Sequence, residues 1–380
     1  MTAVDRLPVR TLHQNVDERP FIVIWEVTRA CGLVCAHCRA DARLHRDPLE
    51  LTTTEGKQLF DELAAYGAPR PVVVLTGGDP FERPDLVELV RYGTKAGLHI
   101  ALSPSVTSRF SRGVVAELRE AGAMAMSLSL DGSSAATHDG FRGVPGVYDA
   151  TLEAAADVIE VGCRLQINTT VTAANVLELP AILRKVIDLK AGLWSVFFLV
   201  STGRATTMSS LSPDDVEEVL HWLHDVSDLV AIKATEAPHY RRIAIQRALA
   251  DDVEAEFPPG ELRRRLRAAT SALIGPADQR RRPRPSLDVN AGRGFAFVDH
   301  VGRVHPSGFL PIPVGSVREQ RFAEIYRNAP LMRALRDPDG FGGRCGRCQY
   351  RHHCGGSRSR AFAAHGDPLA EDPTCSFETL

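Results

Sequence analysis

Hydrophobic positions in this chain switch repeatedly between the period of a strand and the period of a helix. FIVIWEV (21–27) is a β-rich run, and PVVVL (71–75) is a short continuous apolar run, the pattern of a strand buried on both faces. Between them, TTTEGKQLFDELAAYG (52–67) opens on capping residues, carries apolar positions at helical spacing and stops at a glycine. The pair of patterns then recurs. Helical RPDLVELVRYGTKAG (83–97) precedes strand HIALS (99–103), and RGVVAELREAG (112–122) precedes MAMSLSL (124–130). VYDATLEAAADVIEVG (147–162) precedes CRLQINTTV (163–171), and ELPAILRKVIDLKAG (178–192) precedes WSVFFLV (194–200). Six strands with helices between them predict an α/β parallel sheet with helices outside. Two architectures fit. One is a barrel or partial barrel with active residues in the loops after the strands, and the other is a doubly wound open sheet.

After residue 200 the rhythm changes. SPDDVEEVLHWLHDV (212–226) has a Ser cap and a Pro at the first helical position, and LVAIKATE (229–236) is a strand candidate. Residues 250–290 read as less regular and include RRRPRP (280–285), which reads as a solvated loop more than a basic binding strip. GFAFVDHVGRVHPSGF (294–309) has the pattern of a hairpin turning near Val301 and Gly302.

Composition narrows the class. The 380 residues allow two or three domains, or one large barrel with an appendage. With 44% hydrophobic and 24% charged residues, the chain is neither disordered nor fibrous. Lys and Arg total 45 against 47 acids, a net −2, so no global basic field points to nucleic acid. No apolar run approaches the ~18 residues of a membrane span. The N-terminal MTAVDRLPVRTLHQNVDERP has scattered charge and no apolar core of a secretory signal, so a cytoplasmic location with reduced thiols is expected.

That makes cysteine spacing informative. Cys163 stands alone in an apolar run and reads as a small buried hydrophobe. Cys31, Cys35 and Cys38 lie just past the first strand, and Cys345, Cys348, Cys354 and Cys375 form a C-terminal group. A structural zinc site needs a closed set of four ligands. Three thiolates on one loop suit a cubane iron–sulfur cluster with one iron left open.

This CxxxCxxC loop resembles the signature of radical S-adenosylmethionine (SAM) enzymes, and the resemblance covers about residues 20–380. It implies a partial (β/α)6 TIM-type barrel with a C-terminal cysteine-rich auxiliary-cluster extension. It implies that Cys31, Cys35 and Cys38 hold a catalytic [4Fe–4S] cluster whose open iron chelates SAM. One electron, from a flavodoxin- or ferredoxin-type reductant, then releases methionine and a 5′-deoxyadenosyl radical that takes a hydrogen atom from substrate. TGGDP (76–80) resembles the family's GGEP motif, although it is also good turn chemistry. The resemblance assigns SAM contacts to Gly77, Gly78 and Asp79, with Asp replacing the commoner Glu. It assigns Ser129 and Asp131 to the ribose and substrate side, Arg142 to the SAM carboxylate, Asn168 and Gly203 to ribose and adenine, and His37 to the adenine edge.

The C-terminal group resembles a reduced SPASM extension. The full pattern has seven cysteines and two auxiliary clusters. Here Arg358 stands at one missing position, and VHPSGFLP lacks another pair. The four retained cysteines imply one auxiliary [4Fe–4S] cluster, and a zinc knot is the alternative that their spacing permits. Four segments are expected: an arm (1–19), the barrel (20–210), a connecting region (211–290) and the auxiliary domain (291–380). WEVTRAC, STGRA and HPSGFLP look like the haem-synthesis branch, implying oxidative modification of a tetrapyrrole side chain. Peptide modification is the competing reading, and an iron–sulfur or zinc scaffold or electron carrier is the non-enzymatic one. TEAPHYRR (235–242) and the arginine-rich 262–285 are candidate cations for propionates, and His239 and Tyr240 are candidate relay residues.

Overall fold

The computed structural model describes residues 8–10, 12, 14–275 and 281–379. Within the expected arm, residues 1–7, 11 and 13 lie outside this set, as do Arg280 in the basic run and Leu380.

After a short β1 (Val9–Arg10), the strand-period runs fold as β2 (Ile22–Thr28), β3 (Val72–Gly77), β4 (His99–Leu102), β5 (Ala125–Ser129), β6 (Arg164–Val171), β7 (Leu193–Phe198) and β8 (Ile232–Thr235). The helix-period runs fold between them as α1 (Thr53–Ala64), α2 (Leu86–Lys95), α3 (Arg112–Glu120), α4 (Ala135–Arg142), α5 (Val147–Glu160), α6 (Leu179–Asp188) and α7 (Pro213–Asp225). Thr52 and Glu55 form a reciprocal capping box at the start of α1, and Ser212 caps α7 ahead of Pro213.

Strand order chooses between the two architectures. β2 to β8 are parallel neighbours in chain order, with no reversal. A doubly wound sheet needs a reversal to place helices on both faces. Right-handed crossovers without one put the helices on a single face, so the sheet curls into a partial barrel. On β6, Leu165, Ile167, Thr169 and Val171 are buried, while Gln166, Asn168 and Thr170 between them are half-buried. The first set faces the helices and the second faces inward. Trp25 packs edge-on against Phe60 of α1 at 5.6 Å, and Trp194 against Trp222 of α7 at 6.1 Å. The strand candidate at 229–236 is β8, so the parallel run has seven members.

The opposite edge closes over a long sequence distance. β10 (Phe295–Val298) pairs parallel to β2, and the hairpin continues through β11 (Arg303–His305) and β12 (Gly315–Ser316). Gly302, with φ of 90°, makes the turn between β10 and β11. A separate two-residue ladder joins β1 to β9 (Ser286–Leu287).

One expectation needs correction. After α8 (His239–Leu249), the span 250–290 read as less regular contains the single turn α9 (Val253–Glu256) and the 14-residue α10 (Glu261–Ile274). α10 buries Arg263 and Leu266, so its inner face is partly cationic and gives no apolar stripe to read. Arg263 and Arg267 both place Nε on Asp225 Oδ2, at 3.0 and 2.8 Å, and Arg247 joins them at 2.7 Å. Arg242 pairs with Glu217, and Arg241 donates to the carbonyls of Leu287, Val289 and Cys354. These guanidinium groups therefore brace the fold and are not free for propionates.

Candidate active site

The loop after β2 carries Cys31, Cys35 and Cys38 without regular secondary structure, so other backbones hold it. Gly78 N donates to Thr28 O (2.9 Å), Asp79 N to Ala30 O (2.7 Å), Cys31 N to Arg43 O (2.8 Å) and Ala36 N to Phe141 O (2.9 Å). Glycine is required at both TGGDP positions by contact: a Cβ on Gly77 would overlap Thr28 O, and one on Gly78 would overlap Ala30 O. Gly203 has φ of +57° and lies against the carbonyls of Cys38 and Arg39. Its neighbour Arg204 grips the same loop, through N to Cys38 O and Nε to Cys35 O, both 3.0 Å.

The three thiols share a small apolar patch with Leu33 and Val147. Burial pushes the Cys31 thiol up to about 11. A thiol in that state ionises only when a cation arrives, as metal binding requires. Ser105 Oγ donates to Gly78 O (2.8 Å) and stands 3.7 Å from Cys31 Sγ. Asp79 is fully buried; it accepts from Phe81 N (3.1 Å), Ser105 N (3.3 Å) and Thr107 Oγ1 (2.7 Å). Burial, with no cation beside it, raises its carboxyl to about 6.

Beside Cys35 lies a charged group. Arg142, at the end of α4, pairs with the buried Asp131, and its Nη1 is 3.8 Å from Cys35 Sγ. His37 Nε2 is 3.7 Å from Asp131 Oδ2, and its ring meets Phe141 edge-on. Burial, aided by the Arg142 and Arg204 charges, outweighs Asp131 and lowers His37 to about 4, so the ring is neutral at pH 7. Among the described residues, His37 Nδ1, Arg142 Nε and Arg204 Nη2 are buried without a hydrogen-bond partner. Unpaired donors of this kind cost free energy unless a polar ligand arrives. Three thiols, neutral imidazole and two under-satisfied guanidinium groups at one place fit a thiolate-held cluster with a polar cofactor.

Ser129 and Asn168 are register partners on β5 and β6, on the inward face, and Asn168 Oδ1 accepts from Gln166 Nε2 at 2.7 Å. The structure brings in other groups that the sequence reading missed. Glu26 is buried and pairs with Arg39 (3.0 Å) and His300 (3.0 Å), linking the thiol loop to the hairpin. Arg39 also covers the Phe297 ring at 4.5 Å. Adjacency to Cys38 was the one available signal for Arg39; Ser105, Glu26 and His300 had none.

The second thiol group is built differently. Cys345, Cys348, Cys354 and Cys375 line one cavity, with His239 and Arg242 in its wall. Cys345 Sγ accepts from Arg358 Nη2 and Asp372 N, both at 3.3 Å, and Cys348 Sγ from Tyr350 N at 3.4 Å. Burial raises Cys354 to about 12. Burial alone would raise Cys375 too, but His239 and Arg242 outweigh it and hold that thiol below its ordinary value. His239 Nε2 lies 3.3 Å from Asp372 Oδ2, and both side chains are buried. Arg358 is fully buried, stacks on Phe341 and turns its fork onto a sulfur. Four sulfurs in an arginine-rich wall fit a fully thiolate-held, negatively charged centre. Tyr240 is buried against His224, away from these thiols.

Fold and thiol loop together define a radical SAM enzyme: the chain matches the Radical SAM superfamily over residues 25–186 and belongs to it. Its reaction therefore uses a [4Fe–4S] cluster and SAM, and the scaffold reading falls away. Over 360 residues the chain is 39% identical to the AdoMet-dependent heme synthase of Methanosarcina barkeri (strain Fusaro / DSM 804), covering 94% of this chain and 97% of that protein. Fe-coproporphyrin III synthase of the same organism is 30% identical over 390 residues, 97% of this chain and 91% of the relative. The crystal structure of Streptococcus suis SuiB bound to precursor peptide SuiA superposes with a TM-score of 0.68 at 14% identity, over 95% of this chain and 76% of that one, a likeness of fold. Among the described residues no helix is long and apolar enough to cross a membrane.

Proposed function

We propose that this enzyme oxidatively modifies a propionate side chain of an iron tetrapyrrole, as the final chemistry of a haem. The observation that carries the reading is 39% identity over almost the whole of a heme synthase. Cys31, Cys35 and Cys38 would hold the SAM-binding cluster, and Cys345, Cys348, Cys354 and Cys375 one auxiliary [4Fe–4S] cluster. Bound together, the first cluster and SAM supply a radical that removes a hydrogen atom, and the second supplies an acceptor for the electron left behind.

The chain's own residues position and exclude. The backbone of Gly77 and Gly78 keeps the thiol loop close to the end of β3, where a SAM ammonium group would find carbonyl oxygens. Arg142 offers a guanidinium donor to a carboxylate, with Asp131 fixing its direction. His37 stays neutral, so it adds no charge beside the sulfonium. Ser129, Asn168 and Gly203 stand on the ribose and adenine side. A flavodoxin- or ferredoxin-type protein would deliver the electron, in the cytoplasm, where thiols stay reduced.

The test is incubation of anaerobically reconstituted enzyme with SAM, dithionite and iron-coproporphyrin. Expected are 5′-deoxyadenosine and a porphyrin lighter by the elements of formic acid for each propionate converted. Deoxyadenosine without any change in the porphyrin overturns the substrate assignment and turns attention to precursor peptides. Metal analysis should find roughly eight irons per chain, and roughly four with one zinc would overturn the auxiliary cluster.

A further inference from the structure

Many arginines of this fold meet carboxylates, and one enclosed group of cations does not. Around Asp225 and Glu217 the guanidinium groups of Arg242, Arg247, Arg263 and Arg267 all meet carboxylates. Lys233, Arg164 and Arg284 make no ion pair and no side-chain hydrogen bond among the described residues. Two of them sit on the inner face of the barrel. Lys233 is the register partner of Ser195, which pairs with Asn168. Ile232 and Trp194, one residue back on each strand, face the helices instead. Arg164 shares the Asn168 face of β6, four residues below it.

The third cation comes from a distant segment. Arg281 N donates to Asp228 O (2.8 Å) ahead of β8, and the chain then runs to β9, which pairs with β1. This path carries Arg284 within electrostatic reach of both Lys233 and Arg164, and also of Arg10 and Arg281. Among the described residues, the charges that act on Arg284 are those of Arg10, Arg281 and Arg164, and Lys233 has Glu236 as its one acidic neighbour. Lys233 and Arg284 reach solvent yet stand enclosed by protein, the situation of side chains in an open barrel. Enclosure first, and neighbouring cations second, hold both below their ordinary values. Like charges gathered without carboxylates destabilise a fold unless an anion joins them.

We infer that Lys233, Arg284 and Arg164 form a carboxylate-binding strip on the inner wall of the barrel, which holds the propionates of the substrate. The inference rests on the tetrapyrrole reading above and adds how that substrate is gripped. Ammonium and guanidinium donors suit carboxylates, and several spread along one wall suit a flat molecule with carboxylates at its rim.

The test is an optical titration of reconstituted holoenzyme, without SAM or reductant, using iron-coproporphyrin and its tetramethyl ester. The wild type should bind the acid at least about tenfold more tightly than the ester, with affinity falling as salt rises. Lys233→Gln with Arg284→Gln should weaken acid binding about 10- to 100-fold and leave ester binding unchanged. Lys233→Arg with Arg284→Lys should retain most of the acid affinity, which also covers the case in which the glutamine variant folds poorly. Equal binding of acid by wild type and glutamine variant, or of acid and ester by the wild type, overturns the strip and spares the tetrapyrrole reading. Binding of neither ligand by the wild type overturns both.

Discussion

The loop at Cys31–Cys38 and the cysteine group at 345–375 hold sulfur by different means. The first leans on backbone: glycines without Cβ let two loops touch, carbonyls of residues 28, 30, 35 and 38 are grasped from outside, and the buried carboxylate Asp79 has only neutral donors. The second leans on charge: Arg358 on a sulfur, Arg242 and His239 in the wall, and the buried Asp372 held by Arg360 at 3.2 Å. Unpaired buried nitrogens occur beside both sites among the described residues, on His37, Arg142 and Arg204 at the first and on His239, Arg242 and Arg360 at the second, so the difference lies in backbone support against charge placed on the sulfurs. The comparison teaches that thiol count alone separates the two poorly, and that what surrounds the sulfurs separates them well.

The comparison breaks most sharply by removing one sulfur from each site. Cys35→Ala should reduce 5′-deoxyadenosine formation to background. Cys354→Ala should lose roughly four irons but still cleave SAM, with turnover of substrate abolished. Loss of SAM cleavage in both variants would show that the sites are one functional unit. Next in size is the backbone contact. Gly78→Ala drives a methyl into carbonyl oxygens that cannot yield, and should cost about 2–3 kcal/mol in chemical denaturation together with SAM cleavage. Full retention of both would remove the case for backbone support.

The two buried carboxylates respond to pH with opposite sign. Asp79 is raised to about 6, so the folded state resists its ionisation. Its contribution is fully present below the unfolded value of ~3.9 and is lost as pH rises through 6. Asp79→Asn should therefore gain on the wild type by roughly 1 kcal/mol between pH 5 and 8. Asp372 is held well below the usual carboxylate range: burial opposes this, and the Arg360 and His239 charges overcome it. Its contribution is present above ~3.9 and lost as pH falls, so Asp372→Asn should weaken the protein at pH 7 and flatten its acid limb. Denaturation midpoints across pH check both, and matching slopes for the two variants would contradict the contrast. The smallest effect is a control. Gly140 on α4 has open space where a Cβ would go, so Gly140→Ala should stabilise by about 0.5–1 kcal/mol while leaving SAM cleavage intact.

Much of this was legible from local pattern. The alternation of strand and helix periods marks β2 to β8, and the spacing of Cys31, Cys35 and Cys38 marks one thiol-bearing loop, because both are properties of adjacent residues. α10 was not legible, since the residue it buries beside Leu266 is Arg263, an apolar-face position filled by a cation whose partner Asp225 is 38 residues away. The roles of Glu26 and His300 were hidden for the same reason, being separated by 274 residues.

What the amino-acid order determines alone is the alternating elements of the parallel sheet and the two thiol groups, whose pattern carries the family resemblance, because periodicity and short spacing act over a few residues. Tertiary structure decided that the hairpin closes on the first long strand, that Arg242, Arg247, Arg263 and Arg267 are consumed by carboxylates, and that Lys233 and Arg164 share the inner face with Arg284 in electrostatic reach. Charge pairing is a matter of distance in space, and distance in space exists only once the sheet has curled.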